Sequence, residues 1–255
     1  LEKIKKSSLV SLKGFHFHAD GYDSDMKREF AFYFIDLLLR LRKEGFNDLE
    51  RVNIGGAFRT PILQDRKEWF DFVNDLEKSL VHNCDLEVWG DYTYGLSVSD
   101  KGNIIGRSLA ESKGDKNDIV TELHNILNVR ISDDIDSIKT LLFENNIKLI
   151  IEPGFSLSTT AGITVIDVVG VKEGPCQCKL IQVNGHLFSI SSNMLEHLSD
   201  PLLVPLHKSS EGESFEGYII GSLCREDDFI MKRKVLFSQE PKPGDKLVFF
   251  NTGSY

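Results

Sequence analysis

The chain has 255 residues, of which 41% are hydrophobic, so it can bury one large core or two smaller ones. Its formal net charge is -9, and it has no basic run, which argues against nucleic acid or an anionic membrane surface as a partner. No apolar run reaches the ~18 residues that a membrane span needs, and no signal peptide is recognisable.

The first part of the chain, about 155 residues, alternates strand-like and helix-like segments, which is the pattern of βα units. Strands are predicted at 12–18, 51–54 and 148–152, and helices at 25–44, 66–82, 117–128 and 133–145. Gly45 is predicted to end the first long helix, and Ser132 to cap the last one. The helix at 25–44 should bury one stripe, formed by Phe30, Phe34, Leu37, Leu38 and Leu41.

Between these units, segments 86–89 and 94–98 are predicted to pair as a hairpin. After about residue 160 the pattern changes to period two, with short turns, which predicts an antiparallel β domain. Its strands are expected at 163–169, 179–183, 218–220, 229–230 and 246–250. Asn184-Gly185 is the strongest hairpin signal.

A complete (β/α)8 barrel takes roughly 250 residues. We therefore predict that residues 1–158 are the second half of such a barrel, whose first half lies outside this sequence. Residues 159–255 are predicted to form a β-barrel or β-sandwich domain.

The four cysteines favour a reducing, cytoplasmic location and no metal site. They lack CxxC spacing, and no nearby histidine completes a zinc set around Cys176-x-Cys178. Ordinary strand cysteines explain that pair.

Three predicted strands end in residues that can carry chemistry. The first runs through His16 and His18, the second ends at Gly55-Gly56-Ala57, and the third ends at Glu152. Because the carboxyl ends of parallel strands share one edge of a sheet, these tips could face one ligand.

Each tip also has a structural explanation. The glycines could let backbone N–H groups approach an anion, or could serve only a tight turn. His18 could stack on a flat ligand or be structural, and His16 shares its face, so one of the two could belong to the core. Glu152 is predicted to be a buried carboxylate, and its alternative is a salt bridge to a lysine or arginine of a neighbouring strand.

Together, a phosphate turn, a stacking histidine and a carboxylate point to pyridoxal phosphate. The phosphate would lie on the glycine turn, the ring on His18, and Glu152 would keep the pyridine nitrogen protonated. A protonated pyridine is an electron sink, which decarboxylation requires.

Several motifs occur in the order seen in one family: Gly14-Phe15-His16-Phe17-His18, Asn53-Ile54-Gly55-Gly56, Ile151-Glu152-Pro153-Gly154, Gly221-x-x-Cys224 and Gly253-Ser254-Tyr255. Over nearly all of its length the chain resembles the fold-type III pyridoxal-phosphate decarboxylases, which act on ornithine, diaminopimelate and arginine. The resemblance implies an alanine-racemase-like barrel, decarboxylation of a basic or diamino acid, and a head-to-tail homodimer with shared active sites. Residues 84–135 resemble a less-studied branch, and their role stays open.

The resemblance also implies residue roles. His18 would stack on the ring, Glu152 would bind the pyridine nitrogen, and Cys224 would cross the dimer interface to reprotonate the α-carbon. The cofactor contacts would further include Gly55, Gly56, Ala57, Gly154 and Tyr255. For Cys224, a buried structural thiol is the alternative.

Three departures from the family matter. Ala57 stands where a third glycine is common, and Phe155 stands where an arginine usually contacts phosphate or substrate, although phenylalanine cannot donate a hydrogen bond. We hypothesise that Arg59 supplies the missing charge, the alternative being a solvated loop arginine. The acid expected after Cys224 is replaced by an arginine, so Glu226 is the candidate for binding the distal group of the substrate.

The family also holds its cofactor as a Schiff base on a lysine at an early strand tip. Lys13 and Lys148 open their strands, and Lys27 and Lys43 lie on a helix, so this lysine is expected upstream of Leu1. Two alternatives stay open: a racemase of the same fold, which Glu152 opposes, and a non-catalytic or regulatory homologue, which Phe155 supports. The substrate and its handedness are not assigned.

Overall fold

The computed structural model describes residues 1–19, 23–60, 66–82, 88–106, 118–133, 135–190, 199–206 and 213–254. The chain divides into two compact units. The first unit comprises Leu1–Thr60 and Lys116–Leu157, and the second comprises Pro61–Asp115 and Ser158–Tyr255. The last of these boundaries lies one residue from the predicted one at 158, whereas residues 61–115 group with the second unit and not with the first.

The helices and strands are, in chain order, α1 (Glu2–Lys5), β1 (Gly14–His16), α2 (Ser24–Lys43), β2 (Arg51–Asn53), α3 (Arg66–His82), β3 (Ser97–Val98), β4 (Ile104–Ile105), α4 (Ile119–Asn128), α5 (Ile138–Glu144), β5 (Lys148–Ile150), α6 (Phe155–Ser158), β6 (Ile163–Glu173), β7 (Lys179–Val183), β8 (Leu202–Val204), β9 (Phe215–Ile220), β10 (Val235–Phe237) and β11 (Lys246–Phe250). Single 3₁₀ turns lie at Trp89–Asp91, Thr159–Ala161, Pro175–Gln177 and Leu187–Ser189.

The first unit is built on a parallel sheet of three strands in the order β1-β2-β5. Val52 of the central strand pairs with Phe15 on one side and with Leu149 on the other. Helices α2, α4 and α5 pack against one another, and their apolar side chains share a core with the central strand. This βα arrangement follows from the alternating pattern in the sequence.

Helix α2 presents to the core a face that overlaps the predicted one. The Asp23 side chain caps its start by accepting from the amides of Asp25 and Met26. Its buried residues are Lys27, Ala31, Ile35, Leu38 and Leu41. Phe30 is 44% exposed, and the Phe34 ring stacks on Phe15 and Phe17 of the edge strand and its extension. The predicted stripe is therefore partly wrong, because these aromatic rings cover the edge of the sheet and not its centre.

Helix α5 begins later than predicted. Its N-cap is Ser137, whose hydroxyl accepts from the Thr140 amide, and not Ser132. The Ser132 hydroxyl instead accepts from the Ile135 amide in a turn ahead of the helix. Both serines can satisfy a free amide in this way, and the helix starts at the one directly before Ile138, which is packed in the core.

Six strands of the described part of the second unit form a sheet in the order β10-β9-β7-β6-β11-β8. All neighbours are antiparallel except β7 and β9, which are parallel. The predicted antiparallel domain is therefore a mixed sheet. Strands β8 and β10 were not predicted, and Phe229 forms only an isolated bridge to Ile220 where a strand was expected.

The hairpin predicted at Asn184-Gly185 is wrong, and the described residues of the one predicted between 86–89 and 94–98 pair elsewhere. After Asn184-Gly185 the described chain enters the 3₁₀ turn Leu187–Ser189, because the Asn184 amide binds the Asp167 carbonyl and Gly185 accepts from Ser222. Segment 97–98 pairs with 104–105, whereas Val88 bridges to Arg233 and residues 83–87 lie outside the described part. Residues distant in sequence thus bind Asn184, Gly185 and Val88, whereas segment 97–98 pairs with the segment that follows it.

Within the described part of the chain, no helix combines the length and apolarity needed to span a bilayer.

Candidate functional site

The three parallel strands end at one edge of their sheet. His16, Asn53 and Ile150 are the last residues of β1, β2 and β5. The segments that follow β2 and β5 stay in contact with each other beyond these ends, because the Glu152 amide donates to the Gly55 carbonyl at 2.9 Å. The structure therefore brings the predicted carboxylate next to the predicted glycine turn.

Glu152 is held by two side chains at this edge. Its Oε1 accepts a hydrogen bond from Asn53 Nδ2 at 2.7 Å and lies 3.4 Å from His16 Nε2. The carboxylate side chain is 47% exposed, so the prediction that it is buried is wrong. The strand stops two residues earlier than predicted, which leaves Glu152 on the open edge. The recorded partners are an amide and an imidazole, and not the lysine or arginine of the alternative.

Asn53 links the carboxylate to the glycine turn, and the sequence interpretation missed it. Its Oδ1 accepts from the Gly55 amide at 2.9 Å while its Nδ2 donates to Glu152. An amide side chain can do both because it carries a donor and an acceptor. A polar residue between Val52 and Ile54, both fully buried, was the available signal.

The two glycines allow the strand tips to touch. Gly55 has φ +69°, and a Cβ there would lie 2.6 Å from the Phe17 carbonyl oxygen and 3.0 Å from His18 Nδ1. A Cβ on Gly56 would lie 2.6 Å from the Glu152 carbonyl oxygen. Both positions therefore require glycine for close approach, whatever else the turn binds.

His18 lies against this turn. Its Nδ1 accepts a hydrogen bond from the Gly56 amide at 3.3 Å, which in the neutral ring places the proton on Nε2. Both His18 and His16 are exposed, so neither belongs to the core. An apolar cleft of about 510 Å³ also borders His18, and its lining is Phe17, His18, Ala19, Glu29, Phe30, Tyr33 and Phe34.

Ala57 and Arg59 continue the turn. Ala57 has φ +56°, a left-handed conformation that glycine adopts more easily, as expected at the place of the third glycine. The Arg59 amide donates to Glu122 Oε2 at 2.7 Å, and its guanidinium Nε lies 3.4 Å from Oε1 of the same carboxylate. Glu122 is 2% exposed, so Arg59 is not the solvated loop arginine of the alternative. Its role toward a phosphate stays a prediction.

The Glu-Pro-Gly motif leads directly into α6. Gly154 is exposed with φ +46°, and Phe155 is the half-buried first residue of the helix. The Ser156 hydroxyl donates to the Pro153 carbonyl at 2.8 Å and closes the turn.

Cys224 and Glu226 lie in the second unit, on the loop between β9 and β10, and both are exposed. The alternative of a buried structural thiol is therefore wrong for Cys224. Arg225 binds Asp227 through two hydrogen bonds of 2.8 and 2.6 Å, which lower the pKa of Asp227 and raise the pKa of Arg225. Tyr255 lies outside the described residues.

Asp228 organises the Cys224 loop, and the sequence interpretation missed it. It is 4% exposed, and its two carboxylate oxygens accept from the amides of Leu187 and Leu223 at 2.7 Å each. A Cβ on Gly221 would lie 2.2 Å from this carboxylate, which explains the glycine of the motif. An acidic residue directly before the apolar run 229–231 was the available signal.

Comparisons with known proteins identify the family of this chain. Residues 22–253 match the family model described as pyridoxal-dependent decarboxylase, C-terminal sheet domain. An uncharacterized protein, y4yA of Sinorhizobium fredii, is 28% identical over 258 residues, which cover 100% of this chain and 51% of that protein.

Solved structures share the fold at low sequence identity. Diaminopimelate decarboxylase from Helicobacter pylori, a mutant complexed with L-lysine, has a TM-score of 0.57 at 15% identity, covering 100% of this chain and 47% of its own. The arginine decarboxylase of Paramecium bursaria Chlorella virus has a TM-score of 0.54 at 15% identity when bound to agmatine, covering 96% of this chain and 50% of its own.

The chain thus spans about half the length of the relatives that it matches. Because the family model covers most of the 255 residues, the chain belongs to the pyridoxal-dependent decarboxylase family, whose solved members are fold-type III enzymes.

Proposed function

We propose that this chain is the C-terminal part of a pyridoxal-phosphate-dependent decarboxylase that acts on a basic or diamino acid. The observation that carries the proposal is the contact between Asn53 and Glu152 at 2.7 Å, next to the glycine turn and His18. It joins a carboxylate, an exposed imidazole and a glycine-rich turn at the carboxyl edge of a parallel sheet, where α/β folds keep their chemistry.

The residues present fit this cofactor. The glycine turn offers backbone amides to a phosphate, and the exposed His18 ring offers a face for stacking. Glu152 Oε1 is occupied by Asn53, whereas Oε2 receives no hydrogen bond from the described residues, so it can accept one from a ring nitrogen. When bound, pyridoxal phosphate supplies an electron sink that stabilises negative charge at the α-carbon of the substrate.

In this proposal the side chains of the first unit have separate roles. Glu152 holds a proton on the ring nitrogen through its anionic carboxylate, and Asn53 orients that carboxylate. His18 would stack on the cofactor ring, and its imidazole is held for this by the Gly56 amide, which donates to Nδ1. A cation in place of Glu152 would weaken the electron sink, which is why we favour a decarboxylase over a racemase.

We further propose that the protein works as a homodimer in which Cys224 and Glu226 of one subunit serve the site of the other. The exposure of both side chains supports this role, because a proton donor and a substrate-binding acid must reach a neighbouring subunit. The parallel sheet β1-β2-β5 supports a place in the second half of a (β/α)8 barrel. The family's solved structures with L-lysine, agmatine and cadaverine support a basic substrate.

The test uses the full-length protein mixed with pyridoxal phosphate. We expect a visible absorbance band that borohydride removes, and release of carbon dioxide from lysine, arginine, ornithine or diaminopimelate. Glu152→Gln should retain the band and lower kcat by about 10²–10³-fold, since it removes one preorganised charge. Glu144→Gln, an exposed acid at the end of α5, is the control and should change neither.

Three outcomes would contradict the proposal. Release of inverted amino acid without carbon dioxide would indicate a racemase. Absence of the band would favour the non-catalytic homologue, which Phe155 supports because it leaves the usual arginine position without a charge. Full activity of Glu152→Gln would disprove the role of the carboxylate.

A further inference from the structure

Lys27 is a cation in an unfavourable place. It lies in the first turn of α2 and is 1% exposed. A positive charge at the N-terminal end of a helix opposes the helix dipole, and a buried charge is costly unless it is hydrogen-bonded. Its side chain therefore needs strong partners, and these partners belong to the glycine turn.

The Lys27 ammonium contacts three successive residues of that turn. Its Nζ donates to the Gly56 carbonyl at 2.7 Å and to the Ala57 carbonyl at 2.6 Å. It also lies 4.3 Å from the centre of the Phe58 ring, which gives a cation–π contact. Lys27 therefore binds the turn from the side of the helix.

These contacts orient the peptide groups of the turn. In a planar trans peptide, the carbonyl of one residue and the N–H of the next point in opposite directions. With both carbonyls directed at Lys27, the N–H groups of Ala57 and Phe58 point away from it. Neither of these amides donates to an acceptor among the described residues. Two adjacent outward N–H groups with a cation behind them form an anion-binding surface.

The two other positions considered for a charge near the phosphate differ from Lys27. Arg59 is paired with the buried carboxylate of Glu122, and Phe155 has no charge. We infer that Lys27 is the positioning residue of the phosphate subsite: it orients the Gly56–Phe58 peptides and supplies the positive charge from behind the turn. The inference rests on the proposed function, since it assigns the phosphate of pyridoxal phosphate to the opposite face.

The test compares pyridoxal phosphate with pyridoxal, which lacks the phosphate, in binding to the full-length protein. Lys27→Met removes the charge and keeps most of the side-chain volume. We expect its Kd for pyridoxal phosphate to rise about tenfold or more, while its Kd for pyridoxal changes little, because a nearby charge in a poorly solvated site is lost. Lys43→Met is the matched control, since it removes an exposed lysine of the same helix, and it should leave both Kd values unchanged.

A second measurement covers the case in which Lys27→Met folds poorly. Inorganic phosphate should raise the Tm of the wild type and of Lys27→Arg, which retains the cation, but not that of Lys27→Gln. An equal loss of affinity for both pyridoxal compounds, or none for either, would overturn the inference while leaving the proposed function intact. A wild type that takes up no pyridoxal phosphate but is still stabilised by phosphate through Lys27 would overturn only the proposed function, and binding of neither would overturn both.

Discussion

Replacement of Gly56 by alanine tests whether close contact of the strand tips explains the glycine turn. The added Cβ would lie 2.6 Å from the Glu152 carbonyl oxygen and 3.3 Å from His18 Cε1. Ordinary carbon–oxygen contacts begin at about 3.3 Å, so the β2 and β5 tips would have to separate by about 0.7 Å. Because the nearest atom belongs to the backbone, no side-chain rotation relieves the clash.

This separation should be costly. Overpacking at rigid positions typically costs about 1–3 kcal/mol, so we expect Gly56→Ala to lower the free energy of unfolding by about 2 kcal/mol. Gly55→Ala should cost more, because it meets the Phe17 carbonyl oxygen at 2.6 Å and also has φ +69°. The left-handed conformation adds about 1–2 kcal/mol for a residue with a side chain.

Urea unfolding of the full-length protein measures these differences, and Gly170→Ala in β6 is the control. A Cβ at Gly170 meets no atom within 4 Å, so the control should stay within about 0.5 kcal/mol of the wild type. Gly55→Ala should therefore lower the free energy of unfolding most, Gly56→Ala less, and Gly170→Ala least. If Gly56→Ala matched the control, the tips would be more compliant than the geometry indicates, and the close-contact explanation would be refuted.

Three further predictions concern buried and charged contacts. Glu122→Ala should lower the free energy of unfolding by about 3 kcal/mol in urea titrations, because it leaves the Arg59 guanidinium without its buried carboxylate, whereas Glu122→Gln should cost less. Asp228→Ala should lower the free energy of unfolding by about 2 kcal/mol, since it leaves the amides of Leu187 and Leu223 without their acceptor; an unchanged Tm would argue against the anchor. Hydrogen bonding to Lys148 lowers the pKa of Glu50 from 4.5. The ionised carboxylate therefore stabilises the folded state at neutral pH, and this stabilisation is lost as the pH falls below 4.5 and the group takes up a proton. Glu50→Gln should therefore flatten the acid limb of a curve of unfolding free energy against pH.

Local pattern was sufficient for several elements. Helix α3 was predicted at 66–82 and observed at Arg66–His82, and β7 and β11 also have their predicted bounds. These segments carry a clear 3.6-residue or two-residue periodicity, and the core that they join agrees with that preference. The order of strand tips along the chain also sufficed to bring His18, the glycines and Glu152 together as candidates.

Side-chain environments at the site needed the folded structure. Glu152 was expected to be buried, but its strand ends two residues earlier, and it lies half-exposed on Asn53. Lys27 was expected only to lie on a helix, and the fold buries it behind the glycine turn. Burial of a polar group depends on which elements pack around it, and no local period encodes that.

By itself the sequence determined the parallel βα unit, the long helices and the set of residues at the strand tips, because periodicity and turn chemistry act over a few neighbouring residues. Only the tertiary structure decided that β7 lies parallel to β9, that Asp228 anchors the Cys224 loop, and that the Lys27 ammonium contacts the glycine turn. Each of these joins residues far apart in the chain, and their pairing is set by competition among packed partners.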